Sequence, residues 1–116
     1  MELLVYKASA GSGKTFTLAV EYIKLLILNP RAYRQILAVT FTNKATAEMK
    51  ERILSQLYGI WKGDKDSDAY LKRIIAETGK PVEEVREAAK VALTNMLHDY
   101  SRFRVETIDS FFQSVE

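Results

Sequence analysis

Apolar residues fall along this chain in two patterns, short continuous runs and longer stretches with helical spacing. The continuous runs at residues 3–6 and 36–41 predict buried strands at residues 3–7 and 36–41, and the second should be covered on both faces of a sheet. Between them, residues 14–28 are apolar nearly all round, which is typical of a helix buried between a sheet and another layer. Asn29 and Pro30 end this helix because proline cannot continue its hydrogen-bond ladder. A strand, a helical crossover and a second strand predict a parallel sheet.

Amphipathic helices dominate the next part of the chain. The second helix repeats apolar residues at helical spacing, namely Met49, Ile53, Leu54, Leu57, Tyr58 and Trp61. After a polar break at residues 63–66, two further helices follow, separated by the stop signal Gly79 and the start signal Pro81. We expect residues 64–100 to form a helical insertion between the core elements.

Residues 104–108 predict a third strand that joins the first two. The 116 residues suffice for one small domain with a real core but not for two. We therefore expect one α/β domain, a partial parallel sheet flanked by helices on both faces, with the helical insertion at residues 64–100.

Composition narrows the class of protein without identifying it. Apolar residues make up 47% and charged residues 28% of the chain, as in a soluble globular protein. The most apolar stretch, residues 25–28, is far shorter than the roughly 20 residues that span a bilayer. No signal peptide precedes Leu3, so we expect a cytoplasmic protein with no membrane partner. The absence of cysteine excludes disulfides, and the net charge of +2 leaves nucleic-acid contact to local basic groups.

Residues 8–15 read Ala-Ser-Ala-Gly-Ser-Gly-Lys-Thr, between the first predicted strand and the first predicted helix. Free N–H groups at a helix start, with glycines that let the main chain curl closely, form a nest for phosphate oxygens. Lys14 would reach the outer phosphates and the Thr15 hydroxyl would coordinate Mg²⁺, which makes these two the expected catalytic residues. The expected nucleotide contacts are Ala10, Gly11, Ser12, Gly13, Lys14 and Thr15. The alternative is a glycine-rich strand-to-helix connection with a solvent-exposed lysine.

Three segments together resemble the superfamily 1 DNA helicases of the UvrD and RecB/AddA type. The first is the loop at residues 8–15, which has alanine at position 8 where the usual loop has glycine. The second, Ala-Val-Thr-Phe-Thr-Asn-Lys-Ala-Thr-Ala-Glu-Met-Lys-Glu-Arg at residues 38–52, is similar to that family's first single-strand-binding motif. The third, Glu-Thr-Ile-Asp-Ser-Phe at residues 106–111, is similar to a motif usually written Thr-Ile-His-Ser-Phe.

The resemblance implies that residues 1–116 are the amino-terminal part of a RecA-like P-loop NTPase domain, with ATP and Mg²⁺ as cofactors. It implies as parent an ATP-dependent DNA helicase or helicase–nuclease of DNA repair and recombination. The implied partners are single-stranded and duplex DNA, the remaining helicase domains, and a nuclease or partner subunit. In such folds the strand beside the first strand comes from later in the chain, so we expect an exposed sheet edge.

The residues expected to contact DNA follow the second strand. Phe41, Thr42, Asn43 and Lys44 would lie at the carboxyl edge of the sheet, on the same side as the loop at residues 8–15. An aromatic ring can stack on a base, and hydroxyl, amide and ammonium groups suit backbone phosphates. The alternative is that Phe41 belongs to the core and that Thr42 with Asn43 only caps the second helix.

For the third segment, the resemblance implies DNA contact by Thr107 and Ser110. Asp109 stands where that family has histidine, and its carboxylate would repel phosphate, so we expect Asp109 to be a helix N-cap. The nearby Arg102 and Arg104 either follow a DNA backbone or lie on a solvated turn.

An acidic element that ATP hydrolysis requires is missing from the sequence. No apolar strand ends in the Asp-Glu pair that would hold the magnesium shell and the attacking water. We therefore expect the chain alone not to hydrolyse ATP, although the parent enzyme would. Two alternatives stay open: a small P-loop kinase acting on a metabolite, and a stand-alone nucleic-acid-binding module.

Overall fold

The three predicted strands form one sheet in the structure, a computed structural model that describes the backbone of residues 2–5 and 12–114 and the side chains of residues 15–113. In chain order the elements are β1 (Glu2–Val5), α1 (Ser12–Leu28), β2 (Ile36–Thr40), α2 (Asn43–Lys62), α3 (Asp68–Thr78), α4 (Val82–His98), β3 (Val105–Thr107) and α5 (Ile108–Ser114). Short 3-10 turns precede β2, α3 and β3, at Ala32–Gln35, Lys65–Ser67 and Tyr100–Arg102. None of the described helices is both long and apolar enough to cross a bilayer.

The strands lie in the order β1-β2-β3, and both neighbouring pairs are parallel. Leu3 lies opposite Leu37, and Thr40 lies opposite Thr107. The predicted parallel sheet is therefore confirmed. We expected the neighbour of β1 to be a strand from later in the chain than these three. On one side of β1 this expectation is wrong, because the neighbour there is β2, which follows β1 directly through the crossover helix α1. Among the described strands, β1 and β3 are the outer ones.

The helix ends follow local signals in the sequence. Gly63 and Gly79 adopt the left-handed conformation at the ends of α2 and α3, with φ angles of 75° and 71°. Glycine adopts this conformation at low cost because it has no Cβ. Pro81 precedes α4, whose first turn carries acidic residues that suit a helix N-terminus. The two helices expected within residues 64–100 are thus confirmed, while their status as an insertion stays a prediction.

Strand β2 is buried along its whole length, as its continuous apolar run predicted. Ile36 and Ala38 belong to one hydrophobic core together with residues of α1, α2, α3 and α4. Leu37 and Val39 point to the opposite face of the sheet, where they are buried outside that core. Residues of the four long helices therefore share one core with one face of β2, and Leu37 and Val39 are covered on the other face. The expectation of helices on both faces of the sheet stays a prediction. The short helix α5 contacts β2 and β3.

Tyr22 lies at the centre of this core. Its ring is fully buried and packs edge-on against Phe103, with the ring centroids 5.7 Å apart. The Tyr22 hydroxyl has no hydrogen-bond partner among the described residues. Burial raises the pKa of Tyr22 far above its ordinary value, because the phenolate would lose its hydration. The core thus contains a neutral hydroxyl group whose loss of hydration is not offset by a hydrogen bond to any described residue.

We expect Tyr22→Phe to leave the free energy of unfolding unchanged or to raise it. The substitution keeps the ring and removes an unsatisfied hydroxyl, a group whose burial costs about 1–3 kcal/mol. The control is Tyr33→Phe, because the Tyr33 hydroxyl donates to Asp99 Oδ2 at 2.9 Å and its loss should destabilise the chain. Urea denaturation of the three proteins decides the matter. A Tyr22→Phe variant less stable than Tyr33→Phe would mean that the Tyr22 hydroxyl is bonded after all.

Candidate nucleotide and nucleic-acid site

The hydroxyl of Thr40 joins the carboxyl ends of β2 and β3 to the start of α2. Thr40 Oγ1 lies 2.6 Å from Thr46 Oγ1, 3.2 Å from the carbonyl oxygen of Thr42 and 3.5 Å from that of Glu106. Thr40 is buried, and a buried hydroxyl is tolerated where such oxygens satisfy it. These contacts fix the position of α2 relative to both strands.

The segment that follows β2 lies on the surface. Phe41 is 51% exposed, so the interpretation that Phe41 belongs to the core is wrong. Thr42 Oγ1 accepts a hydrogen bond from the Ala45 backbone N–H at 3.0 Å, so the predicted capping of α2 by Thr42 is confirmed. The side chains of Asn43 and Lys44 are exposed in the first turn of α2. An aromatic ring, a hydroxyl, an amide and an ammonium group are therefore open to solvent at the end of one strand.

Thr107 and Ser110 lie beside this segment, because Thr107 is opposite Thr40 in the sheet. Thr107 Oγ1 accepts a hydrogen bond from the Ser110 backbone N–H at 3.2 Å and donates to Ser110 Oγ at 3.0 Å. Thr107 thus caps α5, and the expectation that Asp109 is the N-cap is wrong. Asp109 is instead an exposed residue in the first turn of α5, where its charge suits the helix N-terminus. Because Thr107 caps α5, the helix begins at Ile108. The prediction that Ile108 belongs to the third strand is therefore wrong.

The two arginines before this segment are occupied differently. Arg104 forms an ion pair with Glu106, in which Nη2 and Nε lie 2.6 Å and 2.8 Å from Oε2. Arg102 lies on an exposed turn, with Nε 3.8 Å from Asp99 Oδ1. Both arginines thus have a carboxylate of this chain as their neighbour. This favours a solvated turn over the alternative that the two arginines follow a DNA backbone.

Half of the predicted phosphate-binding loop, residues 8–11 with Ala10 and Gly11 among them, lies outside the described residues. Only the backbone is described for the next three residues, Ser12, Gly13 and Lys14. They begin α1, whose first turn carries no acidic side chain, and the side chain of Thr15 is half-buried. A helix start without carboxylates suits an anion such as a nucleotide phosphate. In the part of the chain that the structure describes, no group of three His, Cys, Asp or Glu side chains could hold a metal ion.

The sequence did not lead us to predict two features of this edge of the sheet. One is the contact between the Thr40 and Thr46 hydroxyls, for which a threonine at the end of an apolar strand is a weak signal. The other is Phe112 of α5, which is 63% exposed. Its exposure depends on which side of a short helix packs against the sheet, so no local pattern predicts it.

The fold and the site together define an α/β domain whose parallel sheet presents polar side chains and an exposed aromatic ring at the carboxyl ends of β2 and β3. The chain belongs to the UvrD/REP helicase N-terminal domain family, whose family model matches residues 2–115. The expected relationship to helicases of the UvrD and RecB/AddA type is therefore confirmed.

Individual relatives agree with this assignment. The chain is 33% identical over 120 residues to RecBCD enzyme subunit RecB of Buchnera aphidicola, covering 94% of this chain and 10% of the relative. It is 44% identical over 71 residues to DNA helicase II of Haemophilus influenzae, covering 54% of this chain and 10% of the relative. It is 52% identical over 52 residues to an ATP-dependent helicase/nuclease subunit of Clostridium novyi, covering 43% of this chain and 4% of the relative. The chain thus spans at most 10% of the length of these relatives. No solved structure matches the chain significantly.

Proposed function

We propose that this chain is the ATP-binding and DNA-contacting amino-terminal part of a RecA-like P-loop domain in an ATP-dependent DNA helicase or helicase–nuclease. Two of its relatives are named as a DNA helicase and as part of an ATP-dependent helicase/nuclease, which supports a helicase over the metabolite kinase that the sequence left open. The observation that carries the proposal is the register of the sheet. Because Thr40 lies opposite Thr107, the residues after β2 and β3 meet at one edge.

ATP and Mg²⁺ would bind at the start of α1. Lys14 would hold the outer phosphates and the Thr15 hydroxyl would coordinate the ion, with the backbone of residues 10–13 around the phosphates. Strand β1 runs parallel to β2, so its carboxyl end at Val5 lies at the same edge as Thr40. The acid-free first turn of α1 supports an anion at this position. Bound ATP would supply the phosphoanhydride whose hydrolysis drives movement in the whole enzyme.

Single-stranded DNA would cross the exposed residues at the ends of β2 and β3. The Phe41 ring would stack on a base, and Thr42, Asn43 and Lys44 would bind phosphate oxygens. Thr107 and Ser110 would add hydroxyl contacts from the neighbouring strand. The cap formed by Thr42 accepts one hydrogen bond and leaves the hydroxyl hydrogen to donate to such an oxygen.

The whole enzyme would work with further parts. Relatives named as RecB of the RecBCD enzyme and as part of a helicase/nuclease support a nuclease or a partner subunit, besides the remaining helicase domains and duplex DNA. A cytoplasmic location in DNA repair and recombination follows from the same proposal.

We expect Phe41→Ala to weaken binding of a single-stranded oligonucleotide by about 1–3 kcal/mol while barely changing thermal stability. The ring is half exposed, so its removal leaves no large cavity in the core. Fluorescence anisotropy at low salt measures binding, and thermal denaturation of the same protein measures stability.

The matched control is Leu28→Ala, which removes another large apolar side chain that is 54% exposed, at the opposite end of α1 from the phosphate loop. This variant should bind the oligonucleotide as the wild type does. If Phe41→Ala and Leu28→Ala bind equally well, the ring does not stack on DNA and the proposed edge site is wrong.

A further inference from the structure

A second surface lies where α2 and α4 pack along each other, away from the start of α2. It contains Lys50, Tyr58, Trp61 and Lys62 of α2, Lys90 of α4, and Tyr100 in the turn after α4, and we call it the α2–α4 seam. Tyr58 and Tyr100 are 52% and 45% exposed, so about half of each residue is open to solvent. None of these residues belongs to the proposed phosphate or sheet-edge site.

At one end of the seam, lysines from two helices surround an aromatic pair. Lys62 Nζ lies 4.2 Å from the centroid of the Trp61 ring, and Lys90 Nζ lies 5.9 Å from it. Tyr58 packs edge-on against Trp61, with the centroids 5.8 Å apart, and Lys62 Nζ is 6.0 Å from the Tyr58 ring. These distances are in the range of cation–π attraction, which holds the ammonium groups beside the rings.

The other end of the seam repeats the combination of lysine and tyrosine. Lys50 Nζ lies 4.8 Å from the centroid of the exposed Tyr100 ring and 5.5 Å from that of the buried Phe103 ring. Lys50 and Lys62 are separated by twelve residues of α2, which is about 18 Å along the helix axis. The seam therefore has two exposed rings, each with a lysine beside it, at its two ends.

The three lysines of the seam are not held in ion pairs with other described residues. In the described part of the chain, Lys50, Lys62 and Lys90 form no ion pair, whereas Lys24 and Arg104 do. Glu51 and Glu87 are exposed on the same two helices but do not pair with these lysines. An anionic ligand would meet ammonium groups that lie beside the rings and that no described carboxylate holds in an ion pair.

We propose that the α2–α4 seam is a second binding site for single-stranded DNA, with backbone phosphates on Lys50, Lys62 and Lys90 and bases against Tyr58 and Tyr100. Partly exposed aromatic rings beside cations are what an unpaired strand uses, because each base can stack on a ring and each phosphate carries a charge. An acidic peptide would neutralise the lysines but leave the rings without flat partners. The inference rests on the proposed function, since α2 begins at the sheet edge and leads from it to the seam.

The test uses Trp61, the only tryptophan of the chain, as a reporter at the seam. A single-stranded oligothymidylate is titrated into the 116-residue chain at low salt, and Trp61 fluorescence is followed together with the anisotropy of the labelled oligonucleotide. We expect the oligonucleotide to quench Trp61 in the wild type and also in Phe41→Ala, in which the sheet edge is impaired.

Two seam variants should weaken the binding that this signal reports. The double substitution Lys62→Glu with Lys90→Glu should reduce the slope of log affinity against log salt by about 1.4, since each phosphate contact on a single strand contributes about 0.7. Tyr58→Ala should weaken the quenching transition about fivefold or more. The charge-matched control is Arg31→Glu with Lys72→Glu, two exposed cations without an ion pair among the described residues, which should quench as the wild type does.

Four results would overturn the inference. One is unchanged quenching in both seam variants, and another is quenching by a duplex but not by the single strand. The third is oligoglutamate quenching Trp61 and displacing the oligonucleotide, which would identify an acidic protein as the partner. Binding by anisotropy that Phe41→Ala abolishes, without any change in Trp61 fluorescence, would leave the proposed function standing and reject the seam alone.

Discussion

Lys14→Ala is expected to reduce magnesium-dependent ATP binding about ten- to a hundredfold without unfolding the chain. A hydrogen bond to a charged group contributes about 1.5–3 kcal/mol, and Lys14 is the cation predicted to meet the outer phosphates. Lys14 lies in the first turn of α1, where a lysine adds little to helix stability and opposes the helix dipole. Isothermal titration with ATP, with and without Mg²⁺, measures the loss.

The matched control for this substitution is Lys72→Ala, which removes an exposed lysine of α3 and should leave ATP affinity unchanged. Circular dichroism shows whether both variants stay folded. Equal ATP affinity in the wild type and in Lys14→Ala would mean that residues 8–15 are a strand-to-helix connection and not a phosphate-binding loop. Steady-state ATP hydrolysis by the chain alone would show that hydrolysis does not need the Asp-Glu pair that the sequence lacks.

Gly59→Ala is expected to lower the free energy of unfolding by about 1–3 kcal/mol, as overpacking of a tight interior does. A Cβ at position 59 would lie 1.9 Å from Ser67 Oγ and 3.0 Å from Ser67 Cβ. Rotation of the Ser67 side chain can move Oγ away, but Ser67 Cβ, at 3.0 Å, is fixed to the backbone, and both residues are buried. Relief at Cβ therefore requires a shift of α2 or of the turn before α3. The clash outweighs the gain of about 1 kcal/mol that alanine normally brings to a helix interior. Urea denaturation measures the change.

The second substitution Ser67→Gly provides the control, because it removes the two atoms that the new Cβ would approach most closely. The double variant should be more stable than Gly59→Ala, whereas Ser67→Gly alone should not be stabilising. A Gly59→Ala variant that is more stable than the wild type would show that α2 and the turn are not in close contact at this point.

The sequence by itself determined the elements whose signals are local. Apolar runs located β2, helical spacing located α2 and α4, and Pro30, Gly79 and Pro81 marked where helices end and begin. The exposed segment after β2 was also found from its residue types, and its helix cap at Thr42 follows from a hydroxyl placed before a helix. These features depend on residues within a few positions of one another, so periodicity and chain punctuation suffice to predict them.

The tertiary structure alone decided which distant segments meet. It placed β2 directly beside β1, joined residues of the four long helices and of β2 in one core, and left Phe41 exposed. It made Thr107 rather than Asp109 the cap of α5, and it brought lysines of α2 and α4 around Trp61. Each of these outcomes depends on contacts between residues far apart in the chain. Which of the possible contacts form depends on the free energy of the whole fold, and local sequence patterns do not report it.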